Sequence, residues 1–225
     1  MTDVQKESSR IWDGSTRITH WLITLAFGTS WWTAESGEMQ WHRWSGYSML
    51  GLVLFRVYWG FVGASTARFA HFVRGPRAFL SQARGFFSRT TAATIGHNSM
   101  GGWSAIVMLS LLLLQCSIGL FVVDVDVIES GPLSDLVGFS IGRSLAHLHR
   151  RVFNLLLTVV YLHVVVILFY QFYKRDSLIG AMVTGRKQLA VGAASPIRFV
   201  SPWRALLGLV LAALLTIAVV TRLRF

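Results

Sequence analysis

Long apolar segments alternate with short polar ones along the chain, and five apolar segments are suited to crossing a membrane. A transmembrane helix needs about 20 residues to cross roughly 30 Å of hydrocarbon. The five segments lie near residues 18–33, 43–63, 101–123, 149–173 and 203–220. The first is short, but Trp21, Trp31 and Trp32 can anchor its ends at the membrane interfaces. The pattern predicts an all-α integral membrane protein: a four-helix transmembrane bundle plus a fifth, C-terminal transmembrane helix.

The composition agrees with a membrane protein. Hydrophobic residues make up 53% of the 225 residues and charged residues only 14%, whereas ordinary soluble domains have about 25% charged residues. The formal charge of +11 would also fit nucleic acid. However, the basic residues cluster between the apolar segments, as membrane topology signals do. We therefore predict the lipid bilayer, and not nucleic acid, as a partner of this chain.

The basic residues also predict the orientation, because cytoplasmic loops carry an excess of Lys and Arg. Three segments hold most of them: Lys6, Arg10 and Arg17; Arg68, Arg74, Arg77, Arg84 and Arg89; and Lys174, Arg175, Arg186 and Lys187. The opposite loops, "AESGEMQ" and "DVDVIESGPLSD", are mainly acidic. Four other arginines oppose this orientation without reversing it: Arg43, Arg143, Arg150 and Arg151. The sequence thus predicts a cytoplasmic N-terminus and a C-terminus on the outer side.

Histidines at both ends of the fourth apolar segment are its most informative polar residues. In "HLHRRVFNLLLTVVYLH", His147, His149 and His163 flank an apolar run. A helix turns about 100° and rises about 1.5 Å per residue, so His149 and His163 lie within about 40° of one face and roughly 21 Å apart. His147 and His163 lie about 160° apart. His149 is therefore in register with His163, and His147 points outward or caps the helix.

Two further histidines complete two levels across the predicted bundle. His20, in "RITHW", opens the first span at its cytoplasmic end, and His42, in "WHRWSGY", opens the second span at its outer end. His42 therefore pairs with His149, and His20 pairs with His163. Ionisable residues inside a membrane are costly and usually functional. Two imidazole pairs on facing helices fit the axial ligands of two haem b irons.

The remaining candidates for metal or haem chemistry are weaker. A single histidine near the end of a span most often makes an interfacial hydrogen bond. We favour this interpretation for His71, His97 and His147. The single cysteine, Cys116, lies in an apolar run, and no CxxCH motif exists, which excludes a covalent c-type haem. Cys116 is interpreted as a small buried apolar side chain.

Two residues of the second span share the face of His42. Arg56 lies fourteen residues later, where it either pairs with a haem propionate or snorkels to the interface. Gly46 lies one turn after His42 and leaves room for a macrocycle. We add Arg56 and Gly46 to the predicted haem-binding residues.

With these motifs the sequence resembles the bacterial di-haem cytochrome b561 / Ni-hydrogenase cytochrome b family, over about residues 10–187. The resemblance rests on "WDGSTRITHW", "WHRWSGYSMLGLVLFRVYWGFVG", "ARFAHFVRGPRAF", "HNSMGG", "HRRVFNLLLTVVYLH" and "MVTGRK". It implies a four-helix bundle over residues 1–187 whose haem ligands are His20, His42, His149 and His163. Residues 188–225 then form a linker and the fifth helix, which departs from the family, as does the absence of proline from "HNSMGG".

The resemblance also implies transmembrane electron transfer in the bacterial inner membrane. Electrons would pass between a periplasmic cytochrome c, or a dehydrogenase or hydrogenase subunit, and quinone as an exchangeable substrate. By the predicted topology Asp13, Arg17 and His97 lie near the cytoplasmic surface, as candidates for quinone contact or proton entry. The alternative is that Asp13 and Arg17 only anchor the N-terminus. Whether the chain is an enzyme by itself stays open.

The sequence also bears on two other functions. A stand-alone superoxide:quinone oxidoreductase needs a basic outer funnel, which Arg143, Arg150 and Arg151 would favour. Four acidic residues of the outer loops oppose it: Asp124, Asp126, Glu129 and Asp135. A metal transporter would need carboxylates beside the histidines along a polar path, and the predicted spans contain almost none.

Overall fold

The computed structural model describes residues 6–88, 95–123, 130–190 and 197–222, and most of them are helical. The helices are α1 (Gly14–Glu35), α2 (Met39–Val62), α3 (Phe69–Phe72), α4 (Pro76–Arg84), α5 (Ser99–Gly119), α6 (Phe139–Phe172), α7 (Leu178–Thr184) and α8 (Pro202–Thr221). Two strands, β1 (Lys6–Arg10) and β2 (Arg186–Ala190), complete the fold with a 3₁₀ turn at Ser134–Leu136. Arg89, Asp124, Asp126 and Glu129, which entered the topology argument, lie outside the described residues.

Each predicted apolar segment coincides with a long helix, namely α1, α2, α5, α6 or α8. Among the described residues, three of these helices are long and apolar enough to cross a membrane: α5, α6 and α8. Helices α1 and α2 are 22 and 24 residues long, but their polar residues make them less apolar. The mostly helical membrane fold is therefore confirmed, whereas the count of four spans plus a fifth stays a prediction.

Helix α6 begins at Phe139, ten residues before the segment that hydropathy predicted. The first turns of α6 are polar, so a search for apolar segments does not include them. No residue in this stretch ends the helix. His147 is consequently an exposed residue inside the helix. The alternative that His147 caps the helix is wrong, and the alternative that it points outward fits.

The structure contains a pairing that the sequence analysis did not predict. Strands β1 and β2 are antiparallel, with Lys6 opposite Ala190 and Arg10 opposite Arg186. Beside them Gly185 adopts a left-handed conformation, with φ of +80°. Its carbonyl accepts hydrogen bonds from the backbone of the two residues that follow β1. The N-terminal segment is thus fixed to the segment after α7.

The chain divides into two compact units. The first comprises Met1–Ile18, Tyr58–Val107 and Tyr161–Ala205, and the second comprises Thr19–Val57, Met108–Val160 and Leu206–Phe225. The core of the first unit is built from Ile11, Trp12, Ala181 and Leu189. The core of the second unit is built from Met49, Val53, Leu112 and Leu156. Helices α1, α2, α5, α6 and α8 each contribute residues to both units.

Within the second unit, small residues let α8 approach α2. Gly208 and Ala212 are the buried residues of α8, and Thr216 follows them at the same spacing of four. A Cβ atom on Gly51 of α2 would lie only 3.3 Å from Thr216 Oγ1. Small residues on one face are how membrane helices pack closely. At the end of α8, Arg222 forms an ion pair of 2.8 Å with Asp135, so the fifth helix has defined contacts.

We expect Ala212→Leu to destabilise the protein by about 1–3 kcal/mol, because the larger side chain overfills a buried position. The neighbouring Ala213 is exposed, so Ala213→Leu is the matched control and should leave stability unchanged. Thermal unfolding of both variants in detergent, followed by tryptophan fluorescence, measures the effect. Equal unfolding midpoints would show that this face of α8 is not packed.

Candidate functional site

A hydrogen bond fixes the imidazole of His42 near the start of α2. His42 Nδ1 lies 2.8 Å from the backbone carbonyl oxygen of Ser30 on α1. Since a carbonyl oxygen only accepts, Nδ1 must carry the proton and donate it. In the neutral ring, Nε2 then keeps a free lone pair. Metal-binding histidines almost always have such a hydrogen bond on their other nitrogen, which is compatible with the predicted role of His42 as a ligand.

The same region has two hydroxyl groups that join α1 to α2. Ser30 Oγ and Ser45 Oγ lie 2.7 Å apart, and Ser45 Oγ also donates to the carbonyl oxygen of His42, at 2.9 Å. Ser45 is buried. Ser30, whose carbonyl oxygen orients the His42 ring, is therefore itself hydrogen-bonded to α2.

The imidazole of His149 on α6 faces that of His42. Their ring centroids are 6.2 Å apart and their planes are almost perpendicular, at 88°. Two imidazoles on opposite sides of one metal place their centroids about 6 Å apart, since each metal–nitrogen bond is about 2 Å and the nitrogen lies roughly 1 Å from the ring centre. The structure thus brings together the predicted outer pair at a distance that accommodates one iron.

The surroundings of His149 test whether a metal group fits. His149 Nδ1 is buried and makes no well-formed hydrogen bond among the described residues, although the backbone carbonyl of Gln115 on α5 interacts weakly with the ring. A buried polar atom without a well-formed hydrogen bond is uncommon in proteins, and a redox role or a bound ion is among its explanations. Around His42 and His149, the described His, Cys, Asp and Glu residues form no group of three or more that could hold a bare ion. The pair therefore fits a haem iron, whose remaining ligands come from the macrocycle.

Gly119, the last residue of α5, is a site residue that the sequence analysis missed. A Cβ atom there would lie 3.1 Å from His149 Cε1 and 3.5 Å from His149 Nδ1. The absence of a side chain at this position therefore leaves space for the imidazole. A glycine at a helix end is usually attributed to helix termination, and only the approach of α5 to α6 reveals its other role.

The predicted space beside Gly46 is present. A Cβ atom built on Gly46 would meet no atom within 4 Å. The position is one helical turn after His42, on the same side of α2. The open space is compatible with a flat macrocycle, and haem contact at Gly46 stays a prediction.

Arg56 is only 7% exposed, which does not fit the alternative that it snorkels to the interface. A buried guanidinium needs hydrogen-bonding or ionic partners. Arg56 lies on α2, the same helix as His42, as the sequence predicts. Pairing of Arg56 with a haem propionate remains compatible with this burial but is not tested by it.

The second predicted pair, His20 and His163, is half-buried in both members. His20 lies on α1, where its ring makes an edge contact with Trp21 at 5.2 Å. His163 lies on α6, fourteen residues after His149. The two histidines belong to different units, and their pairing stays a prediction from sequence spacing.

Of the quinone candidates, Asp13 has a clear structural role in the first unit. It is buried and precedes α1. One carboxylate oxygen accepts the backbone N–H of Thr16 at 2.7 Å and the indole N–H of Trp59 at 3.2 Å. The other accepts the Thr16 hydroxyl at 2.7 Å. Asp13 is thus the N-cap of α1, which supports the anchoring alternative.

Arg17 and His97 also have defined surroundings in this unit. Arg17 donates a hydrogen bond to the carbonyl oxygen of Val183 at the end of α7, which fits anchoring. The His97 ring packs against Trp12 at 4.8 Å and against Phe72 at 4.5 Å. A quinone contact at any of these residues stays a prediction.

Comparison with known proteins gives one result. The family profile described as prokaryotic cytochrome b561 matches residues 11–185, which covers more than three quarters of the chain and includes all four candidate ligands. No curated protein and no solved structure matches the chain. The family match confirms the resemblance inferred from the motifs.

We expect Gly119→Ala to weaken haem binding at the His42/His149 pair by about 10-fold, because the new methyl group displaces the His149 imidazole. Gly138 is the control, since a Cβ atom there meets nothing within 4 Å. Haem retention and the visible absorption of each purified variant measure the effect. Identical haem retention by Gly119→Ala, Gly138→Ala and the parent protein would contradict this role of Gly119.

Proposed function

Because the chain belongs to the prokaryotic cytochrome b561 family, we propose that it carries electrons across the bacterial inner membrane between a periplasmic redox partner and the quinone pool. Family membership implies transmembrane electron transfer by haem b. The proposal adds two haem groups, an external protein partner and quinone as the exchangeable substrate. It treats the chain as the electron-transfer subunit of an oxidoreductase complex.

The arrangement of His42 and His149 is the observation that carries the proposal. The Ser30 carbonyl fixes the His42 tautomer, and the His149 ring faces it at a centroid distance of 6.2 Å. Two helices of one unit would thus supply the two imidazoles that hold one haem. When bound, haem b supplies the one-electron chemistry, while the protein sets its position and surroundings.

The second haem of the proposal rests on the sequence. His163 follows His149 by fourteen residues and therefore shares its helix face, and His20 opens α1. Half-burial of both imidazoles is compatible with this role. Arg56, on α2, would hold a propionate by a charge-assisted hydrogen bond.

The predicted topology assigns the two ends of the electron path. With a cytoplasmic N-terminus, His42 and His149 face the periplasm, where a cytochrome c or a dehydrogenase or hydrogenase subunit would exchange electrons. Quinone would then react nearer the cytoplasm, beside His97 and Arg17. Because quinone reduction takes up protons, a polar path from that surface is required.

His149→Ala tests the proposal directly. We expect the pyridine haemochrome assay to give two haems per parent chain and one per His149→Ala chain, because one axial ligand is lost. His147→Ala is the matched control on the same helix, since His147 is exposed, and it should retain both haems. Retention of two haems by His149→Ala would refute the ligand assignment.

A second function, superoxide oxidation coupled to quinone reduction, is favoured by one observation. Arg150 and Arg151 are exposed on α6 next to His149, and basic residues attract a small anion. We expect the purified protein to need a protein partner for quinone reduction. Quinol formation from quinone and enzymatically generated superoxide, with no partner added, would instead favour the stand-alone enzyme.

A further inference from the structure

Helix α4 presents a basic surface that electron transfer does not use. The segment from Thr66 to Ser88 contains four arginines and no acidic residue. The side chain of one of them, Arg68, turns inward, because its Nε donates a hydrogen bond to the carbonyl oxygen of Gly63 at 2.8 Å. Arg74, Arg77 and Arg84 are exposed. The positive charge of this segment is therefore available to a partner.

One face of α4 is fixed to the rest of its unit by polar contacts. The backbone N–H of Ser99, at the start of α5, donates to Gln82 Oε1 at 2.9 Å. Gln82 Nε2 contacts the hydroxyl of Tyr170 on α6 at 3.5 Å. Ser99 Oγ also contacts the carbonyl oxygen of Ala78, one turn before Gln82, at 3.4 Å. Because this side is anchored, the other side of α4 has a defined orientation.

The opposite face of α4 forms an open cavity of about 340 Å³ that is lined by Arg77, Leu80, Ser81 and Arg84. Arg77 and Arg84 are seven residues apart, so they lie within about 20° of one face and about 10.5 Å along the helix axis. Leu80 and Ser81 lie between them. Two guanidinium groups thus line an open depression together with one apolar side chain and one hydroxyl.

Apolar side chains are exposed beside these charges. Leu80 is 53% exposed, and Phe87, just after α4, is 75% exposed. Phe86 holds this end of the segment in place, since its ring stacks on Phe169 of α6 at 4.8 Å. A free anion would use only the guanidinium groups. A ligand with an anionic head and an apolar chain would contact both kinds of side chain.

We propose that the outward face of α4 binds an anionic phospholipid. Arg77 and Arg84 hold the headgroup phosphate through charge-assisted hydrogen bonds, and Leu80 and Phe87 contact the adjoining part of an acyl chain. Clusters of basic residues beside a membrane segment recognise anionic lipid in this way. The site is independent of the haem ligands, so it goes beyond the electron-transfer proposal.

Native mass spectrometry of the detergent-purified, haem-loaded protein tests this site. The probes are phosphatidylglycerol and phosphatidylcholine with identical acyl chains. We expect the parent protein to prefer phosphatidylglycerol. The variant Arg77→Gln/Arg84→Gln should lose about 10- to 30-fold in phosphatidylglycerol affinity, since each basic residue contributes roughly a fivefold factor. Phosphatidylcholine binding should not change.

The control variant is Arg175→Gln/Arg204→Gln, which removes the same charge from exposed residues of the same unit. It should bind phosphatidylglycerol within about threefold of the parent protein, because its arginines lie outside the cavity and their removal breaks no charge-assisted hydrogen bond to the headgroup. A second variant, Leu80→Ser, keeps both arginines and should weaken the lipid but not glycerophosphoglycerol, which lacks acyl chains. The haem content of every variant, measured in parallel, verifies folding.

Three results would overturn the proposal. One is equal affinity of the parent protein for the two phospholipids. Another is unchanged phosphatidylglycerol binding by Arg77→Gln/Arg84→Gln. The third is binding of glycerophosphoglycerol or inorganic phosphate as tightly as the lipid, which would identify a site for a soluble anion. A failure of electron transfer would leave all of these readouts unaffected, so the two proposals are tested separately.

Discussion

Polar side chains in a largely apolar helical protein must find partners within the protein or in a cofactor, because unsatisfied polar groups are costly where water is scarce. This requirement organises the second unit. His42 satisfies its Nδ1 with the carbonyl oxygen of Ser30, and Ser45 satisfies its hydroxyl with the carbonyl oxygen of His42. His149 Nδ1 makes no well-formed hydrogen bond within the described ranges, and neither does Gln115 Oε1 on α5. His149 lies where a prosthetic group is expected, which links the packing of the helices to their chemistry.

The first unit meets the same requirement with ionic and aromatic partners. Lys187 is buried and pairs with Asp176 at 2.8 Å. Lys174 instead places its ammonium 4.6 Å from the centre of the Tyr170 ring, and no hydrogen-bond partner for its Nζ occurs in the described ranges. Burial lowers the pKa of Lys174, and the Asp176 carboxylate opposes that change. The end of α6 is therefore stabilised by a cation over aromatic rings, next to the segment that carries α4.

The features that could be predicted from the sequence are those that depend on the periodicity within one helix. Apolar runs located the five long helices, and the turn of 100° per residue placed His149 rather than His147 in register with His163. Features that depend on contacts between distant segments were missed. The role of Gly119 requires α5 to approach α6, and the capping of α1 by Asp13 includes Trp59 from another helix. The start of α6 was misplaced because hydropathy detects the apolar part of a helix and not its polar extension.

The pairing of β1 with β2 has a consequence for how the protein is made. Strand β1 ends just before the residues that the family profile matches, and β2 begins just after them. Strand β1 therefore leaves the ribosome long before β2 has been synthesised. At a synthesis rate of about 5–20 residues per second, that interval is on the order of 10 seconds or more. The N-terminal segment must therefore stay unpaired while several helices enter the membrane. Its attachment to β2 then closes the chain, so this short sheet marks a late step in assembly.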